Sequence, residues 1–276
     1  MNSMPLNEID LDAYFARIHY DGPRKPTLAL LDALIARHIA AIPFENLDVL
    51  LGRSIRLDSA SLQQKMLRDR RGGYCFEHSG LLLVVLTALG FQAVPLSARM
   101  RIQFPRDYTP PRTHLFIRVE LDGEAWLADV GAGGLAPTAA LRLGDAGEQQ
   151  TAHELRRIIH EDGRYFHQIK LGDAWADMYE FTGEEMLPVD QEVANWWTST
   201  NPESVFRQNL MVACTGADGT RRAILNRRFT IRCGERIIEQ REIATPAALL
   251  EVLAKYFGLV FPAGTRFGEA GSPWPS

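Results

Sequence analysis

The sequence predicts an α+β protein built as a helical bundle, a central antiparallel β-barrel and a C-terminal α/β unit. Helix caps and helix-breaking residues delimit helical segments in the first third of the chain. From Phe91 onward, short alternating runs separated by turn residues are typical of antiparallel strands. Strand-like runs later resume before one last helical segment. We therefore expect units at residues 1–90, 91–195 and 196–276.

Capping residues define the predicted helices of the first unit. Thr27 caps a helix over LALLDALIARHIAA, and Pro43 ends it. Asp58 or Ser59 caps a second helix over ASLQQKMLRD. An apolar helix follows the turn in RRGGYCFEHSGLL, and Gly90 lies where a C-terminal cap belongs.

The second and third units are predicted from alternating runs. THLFIRVEL-DG-EAWLADV and ELRRIIHEDGRYFHQIKL indicate hairpins of a small barrel. A short helical link is expected from Pro188 to Thr198, followed by strands at MVACT, RRAILNRRFTIRC and ERIIEQREI. Thr245-Pro246 begins a last helix, which ends at Gly258. The tail FPAGTRFGEAGSPWPS is predicted to be loosely ordered.

Charge and cysteine content narrow the class of protein. A net charge of −4 and a pI near 6.0 argue against a nucleic-acid-binding protein. The longest fully apolar stretch, from Leu81 to Leu86, is too short for a membrane helix, and the N-terminus lacks the apolar core of a secretory signal. Cys75, Cys214 and Cys233 are widely spaced and form no CxxC pair. We therefore expect a reduced, cytoplasmic protein without a membrane anchor and without bound metal.

Cys75 is the candidate nucleophile. It follows an Arg-Gly-Gly-Tyr turn and begins the apolar helix. Unpaired N–H groups and the helix dipole favour a negative charge at that position, so they favour a thiolate. The two glycines permit a close backbone approach, and backbone N–H groups of the turn could form an oxyanion hole. The competing interpretation is a small buried hydrophobic residue, which most free cysteines are.

A hairpin supplies a candidate base and its partner. If Asp122-Gly123 forms a two-residue turn, facing residues have numbers that sum to 245. In this register, the residues on one face of the hairpin are all apolar, so that face belongs to the core. On the other face, His114 lies diagonal to Asp129. Such neighbours are about 7–8 Å apart at the backbone, a distance that His and Asp side chains can span. A purely structural hydrogen bond is the competing interpretation, and the spacing does not show that His114 meets Cys75.

His78 lies one helical turn after Cys75, which makes a CxxH metal pair conceivable. Because the sequence contains no second pair of ligands at metal spacing, we do not expect a metal site there.

Four stretches of the chain resemble the arylamine N-acetyltransferases. They are IPFENLDVLLG, RRGGYCFEHSGLL, RTHLFIRVEL and WLADVGAGG, and their order and spacing match the family. The resemblance implies a papain-like catalytic core with a C-terminal α/β lid. It also implies a catalytic triad of Cys75, His114 and Asp129, with acetyl-coenzyme A (acetyl-CoA) as co-substrate and no tightly bound cofactor. The acceptor would be an arylamine, an arylhydroxylamine or a hydrazine.

The same resemblance assigns further residues. Gly131 and Gly133 would lie in the glycine-rich loop beside the pantetheine arm of the coenzyme. Phe44 would line the acceptor pocket. Glu45 and Arg71 would form a supporting ion pair.

Ala132 departs from the family pattern, because the family commonly has an aromatic residue there. A smaller side chain should widen the acceptor pocket. That change mildly favours a competing function, that of a macrolactam-forming amide synthase of the same family. A cysteine hydrolase or transglutaminase-like enzyme and a non-catalytic binding module also fit the sequence. Neither the natural acceptor nor the oligomeric state is indicated by the residues.

Overall fold

The computed structural model describes residues 9–102, 104–216 and 218–268. The expectation that the chain lacks a secretory signal rests in part on residues 1–8, and part of the predicted tail falls on residues 269–276. Both segments lie outside the described residues. The described chain contains helices, an eight-stranded sheet and a five-stranded sheet. The predicted α+β class is confirmed.

The first unit contains the predicted helices. Thr27 accepts a hydrogen bond from the Leu30 N–H, and Asp58 accepts one from the Ser61 N–H, so both predicted caps are present. The second half of the second predicted helix, Gln64–Arg68, forms a π-helical turn, which the sequence pattern did not indicate. The elements are α1 (Leu11–Arg17), α2 (Leu28–Ala41), β1 (Phe44–Glu45), α3 (Leu47–Leu50), α4 (Ser59–Gln63) and α5 (Cys75–Ala88).

The eight-stranded sheet forms the nearly closed barrel. Its strands are β2 (Gln92–Met100), β3 (His114–Leu121), β4 (Glu124–Ala128), β5 (Leu141–Arg142), β6 (Gln149–Gln150), β7 (Leu155–Glu161), β8 (Arg164–Leu171) and β9 (Ala174–Phe181). They pair antiparallel in the order β5-β4-β3-β2-β9-β8-β7-β6. The two end strands are joined because the Gln149 side chain bonds both the N–H and the carbonyl of Arg142.

The hairpin of β3 and β4 has the predicted register. Asp122 and Gly123 both have positive φ, as a type I′ turn requires, and Val119 pairs with Trp126. The predicted core face packs against the helices. The opposite face is buried where Phe116 and Leu127 fill the barrel interior, whereas Arg118 and Glu120 on the same face are partly exposed. His114 and Asp129 therefore lie in the core rather than on a solvated face.

The C-terminal unit is a five-stranded sheet in the order β1-β10-β11-β12-β13, covered by a helix. β1 comes from the first unit, so this sheet is continuous with the segment that precedes Cys75. Thr245 caps the last helix, and Gly258 ends it at φ +66°. The remaining elements are α6 (Pro188–Thr200), α7 (Val205–Gln208), β10 (Met211–Thr215), β11 (Thr220–Leu225), β12 (Arg228–Cys233), β13 (Arg236–Glu242) and α8 (Pro246–Phe257).

The first half of the predicted loose tail is ordered. Phe267 is fully buried in the core of the C-terminal unit, and the Gly268 N–H donates to the Leu50 carbonyl. Phe261 lies 4.5 Å from the Arg71 guanidinium, which stacks over its ring. Packing of Phe261 and Phe267 against apolar partners thus stabilises this segment, although its composition favours turns.

Across the described ranges, no helix has the length and apolar character that a membrane span requires. The same residues contain no group of three or more His, Cys, Asp or Glu side chains that could hold a metal ion.

Candidate active site

Cys75 is the first residue of α5 and is 3% exposed. Its sulfur lies 3.4 Å from the Thr113 carbonyl oxygen, in the residue before β3. The preceding turn is compact, because a Cβ at Gly72 would lie 1.8 Å from the Pro43 carbonyl oxygen. Only glycine permits that approach. The turn therefore holds the thiol at the start of a helix and beside the first barrel hairpin.

His114 connects Cys75 to Asp129. Its Nε2 lies 2.9 Å from Asp129 Oδ2, which is the contact that the hairpin register predicts. The Cys75 side chain also interacts with this ring, and that interaction helps to raise the pKa of His114. Because Asp129 engages Nε2, Nδ1 is the nitrogen left for sulfur. The structure thus brings together the three residues that the sequence could pair only in part.

Charge makes His114 a strong base. Burial alone would lower the pKa of His114, but the Asp129 carboxylate and the hydrogen bonds to Asp129 and Cys75 outweigh burial and raise this pKa to about 10. Burial alone would raise the pKa of Asp129, yet His114 and the Gly131 N–H hold it below its usual range. At neutral pH, the pair therefore favours a charged ring beside a carboxylate.

A buried ion network supports the start of α5. Glu77 accepts from the Tyr74 N–H at 3.1 Å, which ties the turn to the helix that carries Cys75. Lys65 lies 2.6 Å from Glu77 and 2.8 Å from Asp48, so it compensates both carboxylates. Burying this many charges is tolerable only because each has an opposite partner.

The ion pair implied by the family resemblance belongs to this network. Arg71 Nη2 lies 2.6 Å from Glu45 Oε1 and 3.2 Å from Asp48. Glu45 also accepts from the Leu47 N–H. The pair therefore joins β1 and α3 to the Arg-Gly-Gly-Tyr turn.

The glycine-rich loop, residues 131–136, packs on the nucleophile. A Cβ on Gly131 would lie 2.7 Å from Cys75 Cα, so the two backbones are in direct contact. Gly133 has φ +60°, and a Cβ there would lie 3.5 Å from the Phe44 ring. Ala132 is partly buried between the helical core and the barrel core.

Gly131→Ala should disrupt the contact between the backbones of Gly131 and Cys75. The new methyl group would overlap the Cys75 backbone, and neither backbone can move without shifting α5 or the hairpin. We expect at least a tenfold loss of kcat/KM for acyl transfer and a loss of stability of about 1–3 kcal/mol. Steady-state rates and thermal unfolding check both effects. Gly144→Ala, at a position with open space around the Cβ, should change neither. Wild-type activity in Gly131→Ala would contradict this packing.

Several aromatic side chains pack near Cys75. Phe44 lies with its ring centroid 6.1 Å from Phe206 and 6.2 Å from His78. Phe206 also packs edge-on against Tyr74 at 5.3 Å. Phe44, Tyr74 and Phe206 share a core cluster with Cys75.

A cavity of about 490 Å³ borders Thr113 and α6. Its lining includes Ser97, Thr113, Met186, Ala194 and Trp197. The cavity thus reaches the residue whose carbonyl contacts the Cys75 sulfur.

His78 is part of a hydrogen-bonded chain of neutral side chains. Its Nε2 lies 3.2 Å from the Pro43 carbonyl, which can only accept. His78 Nδ1 must therefore accept from His38 Nε2 at 2.8 Å, and His38 Nδ1 must accept from the Tyr14 hydroxyl at 3.1 Å. The chain ties α1 and α2 to the residue before Phe44.

This chain predicts acid sensitivity. Burial lowers the pKa of His78 to about 4, against 6.5 for a free histidine. Between these values the unfolded chain takes up a proton that the folded protein does not, so the free energy of unfolding should fall as pH decreases from 6.5 to 4. The His78 contribution is about 3 kcal/mol. Urea unfolding as a function of pH checks this, with His78→Gln flattening the dependence. A pH-independent stability across that window would contradict it.

Three site residues carried little or no signal in the sequence. Thr113 acts through a backbone carbonyl, which leaves no residue-type signal. Tyr179, with its ring 5.1 Å from that of His114, sits in a strand that the sequence pattern did not single out. Phe206 comes from the short helix α7. An aromatic residue in an otherwise polar segment was the only available signal for Phe206.

The chain is similar to known proteins over most of its length. Residues 27–265 match the sequence profile of the family described as N-acetyltransferase. The arylamine N-acetyltransferase of Escherichia coli (strain K12) is 39% identical over 249 residues, covering 90% of this chain and 88% of the relative. The arylamine N-acetyltransferase / N-hydroxyarylamine O-acetyltransferase of Salmonella typhimurium is 38% identical, with the same coverage.

A solved structure shows the same fold. The Mycobacterium marinum arylamine N-acetyltransferase in complex with CoA superposes with a TM-score of 0.86 at 38% identity, covering 90% of this chain and 92% of that one. This similarity confirms the expected papain-like fold. The chain belongs to the arylamine N-acetyltransferase family.

Proposed function

We propose that this protein transfers the acetyl group of acetyl-CoA to arylamines through an acetyl-Cys75 intermediate, with Cys75, His114 and Asp129 as the catalytic triad. The observation that carries the proposal is that the buried ring of His114 lies 2.9 Å from Asp129 and also interacts with the Cys75 side chain. A base held between a carboxylate and a thiol is the arrangement that nucleophilic acyl transfer needs. The names of the relatives support the donor and acceptor classes.

The first half-reaction acetylates the enzyme. We place the Cys75 proton on His114, whose ring is charged at neutral pH, and the thiolate attacks the carbonyl carbon of the thioester. The bond from that carbon to the coenzyme sulfur breaks, and the leaving thiolate takes the proton back from His114. One thioester replaces another, so this step is nearly isoenergetic.

The second half-reaction forms the amide. The neutral amine attacks the acetyl-Cys75 carbonyl carbon, His114 accepts the amine proton, and Cys75 leaves as the thiolate. Arylamines suit this step because their low basicity leaves them uncharged at pH 7. The conversion of a thioester to an amide drives the reaction forward. Arylhydroxylamines and hydrazines meet the same requirement.

The acceptor would enter beside Phe44, where Phe206 and the glycine-rich loop form an apolar wall. We propose that Ala132 widens this site, because the family commonly carries an aromatic residue there. Gly131 and Gly133 would contact the pantetheine arm. The reaction would take place in the cytoplasm, where thiols stay reduced.

Initial-rate kinetics test the proposal. Acetyl-CoA and 4-aminobenzoate are varied together, and free thiol and acetylated amine are both quantified. The expected result is a set of parallel double-reciprocal plots, with amide and thiol formed in equal amounts. Thiol release at the same rate with and without amine would instead indicate a hydrolase. Absence of release with any arylamine would contradict the proposed donor or acceptor.

A further inference from the structure

Two buried arginines outside the triad lie on strands of different sheets. Arg156 is in β7 of the barrel and is fully buried, and Arg221 is in β11 of the five-stranded sheet and is 2% exposed. Arginine is rarely buried unless it is paired. Their hydrogen-bond partners therefore indicate what these side chains do.

Both guanidinium groups bind the glycine-rich loop. Arg221 Nη1 donates to the Gly134 carbonyl at 2.8 Å, and both its Nη atoms lie 3.3 Å from the Ala136 carbonyl. Arg156 Nη2 donates to the Leu135 carbonyl at 2.7 Å. Three consecutive carbonyls of the loop are thus held by two arginines, one from each sheet.

Glu154 joins the two arginines. Its Oε2 lies 2.6 Å from Arg221 Nη2 and 3.3 Å from Arg156 Nη2. Burial alone would raise the pKa of Glu154, but the two cations hold it below its usual range. One carboxylate and three carbonyl dipoles thereby compensate two buried cations, as a buried charge requires.

The loop needs an external anchor. Five of its six residues are glycine or alanine, Leu135 being the exception, so the loop has almost no side chains with which to fix itself. Yet Gly131 must lie against the Cys75 backbone, and its N–H must reach Asp129 Oδ1 at 2.9 Å. Because the position of this segment must be fixed to within about 1 Å, groups outside the segment have to bind it.

We propose that Glu154, Arg156 and Arg221 form a positioning clamp that fixes the glycine-rich loop against Cys75 for acetyl transfer. The clamp acts through the loop backbone and leaves the thiol chemistry itself unchanged. It also makes acyl transfer depend on the docking of the five-stranded sheet onto the barrel, because Arg221 belongs to that sheet. This inference rests on the proposed function.

Arg221→Ala tests the clamp by comparing two reactions of the same sulfur. The rate of Cys75 acetylation by acetyl-CoA should fall at least tenfold, because the loop is no longer fixed for the coenzyme. Alkylation of Cys75 by iodoacetamide, which does not need the loop, should change less than twofold. Guanidinium chloride at low millimolar concentration should restore acetylation severalfold by filling the vacated site beside Glu154, whereas sodium chloride should not.

Arg222→Ala is the matched control, because Arg222 is the next residue of the same strand and is partly exposed beside Asp218. It should acetylate like the wild type. Arg221→Ala acetylation at the wild-type rate, or a parallel loss of acetylation and alkylation without guanidinium rescue, would overturn the clamp. If Arg221→Ala does not fold, Arg221→Lys must show the same selective loss of acetylation. Failure of the wild type to acetylate would instead reject the proposed function.

Discussion

Cys75→Ala is expected to abolish acetyl transfer, with kcat/KM falling by at least about 10⁴-fold. The residual groups could still bind the two substrates, but no other described cysteine lies beside His114. Without the sulfur, the arylamine would have to attack acetyl-CoA directly in one step. Acetylated amine is measured by chromatography over long incubations, and circular dichroism checks that the variant is folded.

Cys214→Ala is the matched control for this prediction. Cys214 is partly buried, and its sulfur contacts the Ala40 carbonyl at 3.2 Å. Burial raises the pKa of Cys214 to about 11, so this thiol stays protonated at neutral pH. Cys214→Ala should therefore retain activity within about twofold. Substantial amide formation by Cys75→Ala would contradict the proposed nucleophile.

Asp129→Asn should be the second most damaging change, with a loss of about 10³- to 10⁴-fold in kcat. An asparagine amide can donate to His114 Nε2, which would leave the proton on Nδ1, the nitrogen that faces Cys75. The ring would then be unable to take the thiol proton. Removing the carboxylate also removes the charge that raises the pKa of His114 to about 10. The activity should therefore titrate at a lower pH than in the wild type, because the pKa of His114 falls.

The pH dependence of kcat/KM separates this effect from a loss of folding. Asp177→Asn is the control, because Asp177 lies in the barrel and bonds Arg106 and Gln168 away from the site. It should leave the pH profile unchanged. An Asp129→Asn enzyme with a wild-type rate and profile would show that this carboxylate does not direct the His114 tautomer.

Local chemistry in the sequence predicted a large share of the fold. Asp122-Gly123 specified the type I′ turn and hence the whole β3–β4 register, which in turn placed His114 beside Asp129. Thr245 and Gly258 bounded the last helix in the same way. These signals are reliable because each one depends on a conformation that few other residues adopt.

Long-range packing could not be predicted from these signals. The contact of Cys75 with His114 joins a helix of the first unit to a strand of the barrel, and no spacing rule relates them. Phe267 is buried although its segment is rich in Gly and Pro, because apolar side chains that are distant in sequence pack around it. Arg156 and Arg221 lie in strands whose residue pattern gives no indication that an arginine is buried. Their burial is apparent only once both sheets are assembled around the glycine-rich loop.

The most direct test of the proposed mechanism is intact-protein mass spectrometry of the enzyme mixed with acetyl-CoA in the absence of an acceptor. We predict one acetyl group per chain, located on the Cys75 peptide, absent from Cys75→Ala and discharged as acetylated amine when an arylamine is added. A wild-type enzyme that forms amide without ever carrying this acetyl group, or that carries it on another residue, would contradict the mechanism.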